Sequence, residues 1–231
     1  MATDGSAVQP VTEDPKEASD KCNHWVDRGL TKNSAIQFLV QQLVDLGCTP
    51  PERFIKCVQC DVPAAGGFGI LQETRVVKAA TTTACDGKMK ADVKEMLQRE
   101  QSGSSQLSVK PEIYLCQQYM ADELMVHKTL VHELIHAIDM CRTKMDPLHN
   151  CVHMACTEIR AENLSGECSV FKELPRMQSF KGHGQECVKR RAILSVRANP
   201  NCTERAEEYV TAAMPRCFQD VYPFDRHPNL R

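Results

Sequence analysis

The sequence predicts an α+β fold that is mostly helical, with a small sheet before one long helix and a helical hairpin near the C-terminus. Two observations support this prediction. Apolar residues recur at a helical period in several segments, and short strand-like runs precede the longest of these segments. With 231 residues the chain can bury a sizeable core, and we expect a single domain over residues 21–226.

Both ends of the chain are predicted to be tails. Residues 1–20 contain five acidic residues against one lysine and no apolar block, which is typical of a solvated, disordered segment. From the same composition we expect neither a secretory signal nor an Arg-rich amphipathic presequence in this segment. We expect a second, short tail at 227–231.

The first elements follow from periodicity and turn signals. Apolar positions at helical spacing predict a helix over 34–47, ended by the glycine at its last position. Gly66 and Gly67 then indicate a turn or a close approach of the backbone. Strand-like patches occur at 69–84, and the run PEIYLCQQ at 111–118 predicts a strand.

The remaining segments are predicted to be helical. A charged helix at 88–107 runs into a Ser/Gly linker. The longest helix covers 121–142, a second covers about 152–163, and more helix follows at 168–180. Two further helices around an Asn-Pro-Asn turn predict a hairpin over 183–218.

Thirteen cysteines are the unusual feature of the composition. This density favours disulfides over free thiols, and the single CxxC pair at 57–60 argues against paired zinc knuckles. In the predicted hairpin, Cys187 and Cys217 would lie level at the open end, which suits a bridge. Cys141 and Cys151 are also spaced so that the end of a helix and the chain returning after it could bring them together in a disulfide.

Charge and hydropathy exclude two classes of partner. A net charge of −2 and an isoelectric point near 6.4 argue against nucleic-acid binding, which needs a basic field. No apolar run approaches the ~20 residues needed to cross a bilayer. We therefore expect any membrane association to be peripheral.

The segment TLVHELIHAID, residues 129–139, carries the predicted chemistry. On a helix, His132 and His136 lie on one face, so both imidazoles can bind one ion. Glu133 is rotated by about 100° and can reach a metal-bound water without being a ligand. This HExxH arrangement is typical of zinc-dependent hydrolysis. The alternative is a core helix with hydrogen-bonded histidines, but burying these groups without a use would be costly.

A catalytic zinc ion takes three protein ligands and keeps one open position. The preferred third ligand is Glu158, far enough after His136 for a turn and an antiparallel return. His153 is the second choice and Asp139 the third. Three ligands along one helix would not surround an ion tetrahedrally, so we expect Asp139 to accept a hydrogen bond from a ligand histidine instead. Glu162, one turn after the preferred ligand, is expected to be a solvated acid, with a supporting role as the alternative.

Six stretches, in this order, closely resemble the mitochondrial ATP-synthase-assembly metalloprotease family, and its plant and algal branch most: HELIHAID, CRTKMD, NCVHMACTEIRAENLSGEC, KGHGQECVKRR, NPNC and PFDR. The resemblance covers roughly residues 20–70 and 111–226, and it is most specific over 129–168. It implies a zincin-like metalloprotease domain with one catalytic zinc ion.

The resemblance also assigns residues and a role. His132 and His136 match the metal-binding histidines, Glu133 matches the catalytic acid, and Glu158 falls in the family's C-(S/T)-E-(I/V)-R-A segment. The family processes, and separately chaperones, a membrane-embedded subunit of the F-type ATP synthase. It acts on the intermembrane-space side of the inner mitochondrial membrane, which such proteins enter without a cleaved presequence and where their cysteines become oxidised.

Three departures from that family stand out. Residues 72–110 resemble an insertion that carries Cys85, and Cys57 is also additional, so a bridge between them would hold the insertion. Glu162 stands where the family usually has a small residue, which argues against a catalytic role for it. Two alternatives to the protease stay open: an assembly chaperone with little or no proteolysis, and a reduced cytosolic or nuclear metallopeptidase-like protein.

Overall fold

A computed structural model describes residues 10, 14–61, 64–72, 109–147, 149–169, 182–225 and 228. Within these ranges, six α-helices and one three-stranded sheet confirm the predicted α+β, mostly helical class. The predicted helix at 88–107, most of the one at 168–180 and nearly all of the proposed insertion at 72–110 lie outside the described residues.

The first helix, α1 (Pro15–Lys32), begins inside the predicted N-terminal tail, so the prediction of a disordered segment up to residue 20 is too long. Asp14 caps this helix by accepting hydrogen bonds from the backbone N–H groups two and three residues on, and proline at the first helical position has the required φ. Ala18, Cys22 and Val26, spaced by four, are buried along one face.

The second helix, α2 (Ser34–Asp45), confirms the prediction for this segment. Asn33 caps its start by accepting hydrogen bonds from the N–H groups of Ala35 and Ile36. Gly47 follows its end with a φ of +82°. Because a Cβ makes positive φ costly, glycine is the residue best suited to end the helix there.

The sheet has the strand order β1–β3–β2. The central strand β3 (Val109–Cys116) pairs in parallel with β1 (Ile55–Val58) and antiparallel with β2 (Gly66–Gln72). The predicted strand at 111–118 corresponds to β3, and β2 begins slightly before the predicted strand-like patch at 69–84. Among the described strands, β2 therefore lies at one edge of the sheet.

Gly66 allows β2 to lie against the long helix α3 (Glu123–Arg142). A Cβ at Gly66 would come within 2.8 Å of the Tyr114 carbonyl oxygen and 2.9 Å of Thr129 Cγ2, on the buried side of α3. The same addition at Gly67 meets no described atom within 4 Å. The close backbone approach predicted for this glycine pair is thus confirmed at Gly66, and both residues belong to the strand rather than to a turn.

The helices that follow match their predictions closely. α3 and α4 (Cys151–Leu164) agree with the predicted helices to within two residues, and the loop 143–150 joins them. α5 (His183–Ala198) and α6 (Ala206–Cys217) pack together as the predicted hairpin, and both pack against α4. No helix in the described ranges has the length and hydropathy needed to cross a membrane.

Two apolar clusters form the interior of the described part of the chain, and α4 contributes residues to both. The first packs α1, α2, the sheet and α3 around residues such as Leu43 and Leu134. The second packs α4 against α5 and α6 around Ile159 and Val188, while Leu164 of α4 belongs to the first cluster. A site between α3 and α4 therefore lies where the two clusters meet.

Six disulfides crosslink the described part of the chain. They are Cys22–Cys57, Cys48–Cys141, Cys60–Cys116, Cys151–Cys202, Cys156–Cys217 and Cys168–Cys187. The preference for disulfides over free thiols is confirmed for these twelve cysteines, while Cys85 lies outside the described residues. This bonding does not fit the alternative of a fully reduced cytosolic or nuclear protein.

The predicted bridge between Cys187 and Cys217 is wrong. Cys217 bonds to Cys156 of α4, and Cys187 bonds to Cys168, which follows α4. The physical reason is that α4 packs against both helices of the hairpin, so its cysteines come closer than those of the opposite hairpin helix.

Two other predicted pairings are also wrong. Cys141 bonds to Cys48 rather than to the cysteine at the start of the next helix, because α2 packs along α3 and ends near it. Cys57 of β1 bonds to Cys22 of α1, which excludes the proposed bridge to Cys85.

We predict that Gly66→Ala lowers the free energy of unfolding by roughly 1–3 kcal/mol, because the added methyl group would press β2 against backbone and side-chain atoms. Chemical denaturation followed by circular dichroism measures this change. Gly67→Ala is the matched control in the same strand and should be neutral or slightly stabilising, since its methyl group meets open space. Equal destabilisation by the two substitutions would contradict the proposed contact.

Candidate metal centre and active site

Two helices bring the predicted ligands together. His132 and His136 lie one turn apart on α3, and Glu158 faces them from α4. One carboxylate oxygen of Glu158 lies 3.7 Å from His132 Nε2, and the other lies 3.7 Å from His136 Nε2. The three side chains form a group whose ligand atoms all lie within 4.8 Å of one another.

The dimensions and chemistry of this group fit a tetrahedral divalent cation. Two ligand atoms on the same zinc ion are about 3.4 Å apart, given bonds of roughly 2.1 Å. The observed 3.7 Å therefore needs only a small contraction around an ion. Glu158 Oε2 is also buried without a hydrogen-bond partner among the described residues, which is costly unless it has another use. Two imidazoles and one carboxylate are a ligand set typical of catalytic zinc.

The electrostatics of the group favour positive charge at its centre. Burial disfavours a charged His132, yet the contact with Glu158 and the charges of the surrounding glutamates outweigh burial and raise its pKa to about 9. Burial also disfavours an ionised Glu158, but the charges of both histidines hold its pKa down at about 2. Burial lowers the pKa of His136. A cation bound between these side chains would take the place of the proton on His132.

Glu133 lies beside the group without belonging to it. Its side chain is buried and lines the same cavity as the two histidines and Glu158. The edge strand β2 borders this cavity through Gly66, Gly67 and Phe68, and apolar side chains border another part of it. Those apolar residues are Met140, Pro147, Met154 and Ala198. The geometry thus places around one open space a carboxylate, a candidate metal site and a strand that lies at the sheet edge among the described strands.

The expected role of Asp139 needs a correction, because it does not contact a histidine directly. The Thr157 hydroxyl lies between them, 2.9 Å from His136 Nδ1 and 3.0 Å from Asp139 Oδ2. The carboxylate can only accept, so the hydroxyl donates its single proton to Asp139 and accepts from the Nδ1–H of His136. The other ring nitrogen, Nε2, then keeps its lone pair towards Glu158.

Asp139 is fully buried, and both of its carboxylate oxygens accept hydrogen bonds. Its Oδ1 accepts hydrogen bonds from Arg160 Nε at 2.8 Å and from Arg142 Nε at 2.9 Å. Both arginines also pair with Asp220, in the segment that follows α6. Asp139 therefore holds α3, α4 and the C-terminal segment together, which leaves it no free oxygen for a metal ion.

His153, the second choice for the third ligand, lies apart from the group. Its Nδ1 accepts a hydrogen bond from the backbone N–H of Asp146, at 3.1 Å. It is absent from the clusters of candidate ligands found among the described residues. The geometry therefore favours Glu158 over His153 as the third ligand.

The expectation that Glu162 is a solvated acid is wrong, because its side chain is fully buried. Arg191 of α5 pairs with it and with Glu167. Burial raises the pKa of Glu162 to about 7, against the opposing charges of His132 and Arg191. The sequence pattern of α4 does not show that α5 covers this position.

The family of the chain follows from a comparison with family models. The model described as the Peptidase M76 family matches residues 20–100 and 79–225. The chain belongs to the Peptidase M76 family. The resemblance found in the sequence is thereby confirmed, and no solved structure matches this M76 chain.

Curated relatives agree with the family assignment. A protein of Neosartorya fischeri named mitochondrial inner membrane protease atp23 is 47% identical to this chain. The alignment covers 97% of this chain and 81% of the relative. The Schizosaccharomyces pombe protein of the same name is 32% identical, over 94% and 99% of the two chains. The Debaryomyces hansenii protein is 48% identical, but that alignment covers only 49% of this M76 chain and 50% of the relative.

Sequence reasoning missed the contacts of Thr157 and Arg160 and the burial of Glu162. Thr157 carries no local signal, since a hydroxyl within a helix ordinarily bonds to its own backbone. For Arg160 and Glu162 a signal was available. The run TEIRAEN spreads polar side chains around the whole helix, and a helix that packs on two sides must bury some of them.

We predict that His132 titrates with a midpoint near pH 9 in the metal-free protein, because the nearby carboxylates favour its charged form. Because folding raises the pKa of His132, its contribution to the free energy of unfolding is complete at a pH below its pKa in the unfolded chain. That contribution is lost as the pH rises through about 9. An NMR titration of the imidazole resonances measures the midpoint. Glu158→Gln should lower it, and a wild-type midpoint at or below 6.5 would contradict the proposed electrostatics.

Proposed function

We propose that this M76 peptidase is a zinc-dependent metalloendopeptidase, with Glu133 as its catalytic acid–base residue and His132, His136 and Glu158 as ligands of one catalytic zinc ion. The observation that carries this proposal is the convergence of the three ligand side chains from two helices beside Glu133. Family membership supports a peptidase, and the ligand chemistry supports zinc.

The metal supplies Lewis acidity: when bound, zinc lowers the pKa of a water molecule and polarises a peptide carbonyl. Glu133 follows His132 in α3 and lines the cavity rather than joining the ligand group. From this position Glu133 would take a proton from the attacking water and return it to the departing amine. The Thr157 hydroxyl and the Asp139 carboxylate keep His136 Nε2 free of a proton, so that this nitrogen is available as a ligand.

The edge of β2 supports a peptide as the substrate. β3 pairs with one side of this strand, and residues 66–68 of β2 border the cavity. An extended peptide can add to an unpaired strand edge through backbone hydrogen bonds, which requires no particular side-chain sequence. The Ser195 hydroxyl, buried at the cavity without a hydrogen-bond partner among the described residues, offers a further polar group for such a chain.

The relatives and the resemblance support a cellular role. Relatives from fungi and from Xenopus laevis are named mitochondrial inner membrane proteases. We infer that this chain acts at the inner membrane of mitochondria, as a peripheral protein on the intermembrane-space side, where the six disulfides of its described residues would be stable. Its substrate would be the precursor of a membrane-embedded subunit of the F-type ATP synthase, and it would also assist assembly of that enzyme. An assembly chaperone with little or no proteolysis is the alternative.

We predict that Glu133→Gln lowers kcat/KM for precursor cleavage by at least 10²-fold, because the amide cannot accept the proton of the attacking water. Cleavage is measured with the purified precursor, and bound metal is measured by elemental analysis. The metal content should be unchanged, since Glu133 is not in the ligand group. The control is Glu123→Gln on the same helix, which should cleave normally because Glu123 contacts Arg28 rather than the cavity.

The same variant separates the protease from the chaperone. If Glu133→Gln abolishes cleavage while ATP synthase still assembles, the protein has two functions. If cleavage by the variant equals that of the wild type, the protease proposal is wrong.

We predict that Glu158→Gln weakens zinc binding by at least 10²-fold, because an amide oxygen is a far weaker zinc ligand than a carboxylate. Competition with a chromogenic chelator measures the affinity. The matched control is His153→Ala, which should bind zinc like the wild type because His153 lies outside the ligand group. If Glu158→Gln binds zinc normally and His153→Ala binds it weakly, Glu158 is not a ligand and the third position belongs to His153.

A further inference from the structure

The two ring nitrogens of His132 have different surroundings. Nε2 faces Glu158, 3.7 Å from Oε2, where the zinc ion is proposed to bind. Nδ1 is buried and has no hydrogen-bond partner among the described residues. A buried ring nitrogen without a partner costs free energy, and histidine ligands almost always donate this second N–H to a neighbouring acceptor.

A candidate acceptor is the free carboxylate oxygen of Glu162. Glu162 lies on α4 one turn after Glu158, its side chain is fully buried, and its Oε1 also lacks a hydrogen-bond partner among the described residues. One polar atom from each of His132, Glu162 and Glu167 lies within 4.8 Å of the other two. A separation of up to 4.8 Å between a ring nitrogen of His132 and a carboxylate oxygen of Glu162 can be bridged by one water molecule or shortened by a side-chain rotation.

Arg191 of α5 determines which oxygen of Glu162 is available. Its Nε donates to Oε2 of Glu162, and its NH2 group donates to Glu167. The guanidinium thus occupies Oε2 and leaves Oε1 for another donor. Two carboxylates share this one guanidinium, so Oε1 of Glu162 remains an acceptor towards which an N–H of His132 can be directed.

We propose that Glu162 is a positioning residue for His132: it accepts a hydrogen bond from Nδ1–H, directly or through one water molecule, and so keeps the Nε2 lone pair directed at the zinc site. The proposal rests on the proposed zinc function. It implies that the two histidine ligands are oriented by different means. Thr157 and Asp139 orient His136, and Glu162, held by Arg191, orients His132.

A second cation bound by His132, Glu162 and Glu167 explains the same cluster less well. Arg191 already contacts both carboxylates, so an ion there would lie beside a fixed positive charge. The structure therefore favours a hydrogen bond over a second metal ion at this position.

The test compares Glu162→Gln and Glu162→Leu with the wild type, using zinc affinity from chelator competition and the Nδ1–H proton resonance of His132 in the zinc-loaded protein. We expect about a tenfold loss of affinity for glutamine, which keeps an acceptor oxygen, and up to about 100-fold for leucine, which removes it. The Nδ1–H resonance should be protected from exchange in the wild type and lose that protection in the leucine variant. Thermal unfolding monitors the general stability of each protein.

The charge control is Glu167→Gln, which removes the same negative charge from the Arg191 pair but leaves Glu162 in place. It should lose clearly less affinity than Glu162→Gln and should keep the protected Nδ1–H resonance. An equal loss in the two glutamine variants would show that the effect is charge alone, and would overturn the proposal. Affinity of Glu162→Gln within twofold of the wild type, or two zinc ions per wild-type chain, would also overturn it. If the wild type binds no zinc, the proposed function itself fails.

Discussion

The carboxylate of Asp139 determines how the two helices of the site meet. It is fully buried on α3, and it bonds through one oxygen to Arg160 and through the other to Thr157, both of which lie on α4. A buried carboxylate without such partners would cost several kcal/mol, so α3 and α4 pack in the register that supplies them. That register also brings Glu158 of α4 opposite the two histidines of α3. The structural ion pair and the candidate metal site are therefore consequences of the same packing.

The contacts of Asp139 with α4 are the more important because no disulfide in the described ranges joins α3 to α4. The end of α3 is bonded to Cys48 after α2, whereas α4 is bonded through Cys151 and Cys156 to the hairpin region. Each ligand-bearing helix is thus crosslinked within its own half of the molecule. Apart from the short loop that joins the two helices, the distance between the ligands depends, among the described residues, on non-covalent contacts: the apolar clusters, the Asp139 network and the contact of Arg160 with Asp220 beyond α6.

The fold could be predicted where the signal is local. The periodicity of α2, α3 and α4, the glycine that ends α2 and the turn inside the C-terminal hairpin all act within a few residues. The start of α1 was missed because Asp14 was counted with the acidic residues of a tail, although Asp-Pro is a common start of a helix. The cysteine pairings failed for a different reason. A pairing depends on which elements are neighbours in space, and spacing within one hairpin does not show that α4 packs against both of its helices.

The sequence by itself determined the three residues that the HExxH pattern places on one helix, since helical geometry requires no knowledge of the rest of the chain. It also led to Glu158, because a short loop and a second helix leave few other donors nearby. Only the tertiary structure decided how these ligands are supported. Thr157 stands between His136 and Asp139, and Glu162 is buried beneath α5 rather than solvated. The first fact depends on the packing of α4 against α3, and the second on the packing of α5 against α4. Side-chain burial at such a junction is a property of the assembled fold rather than of any one segment.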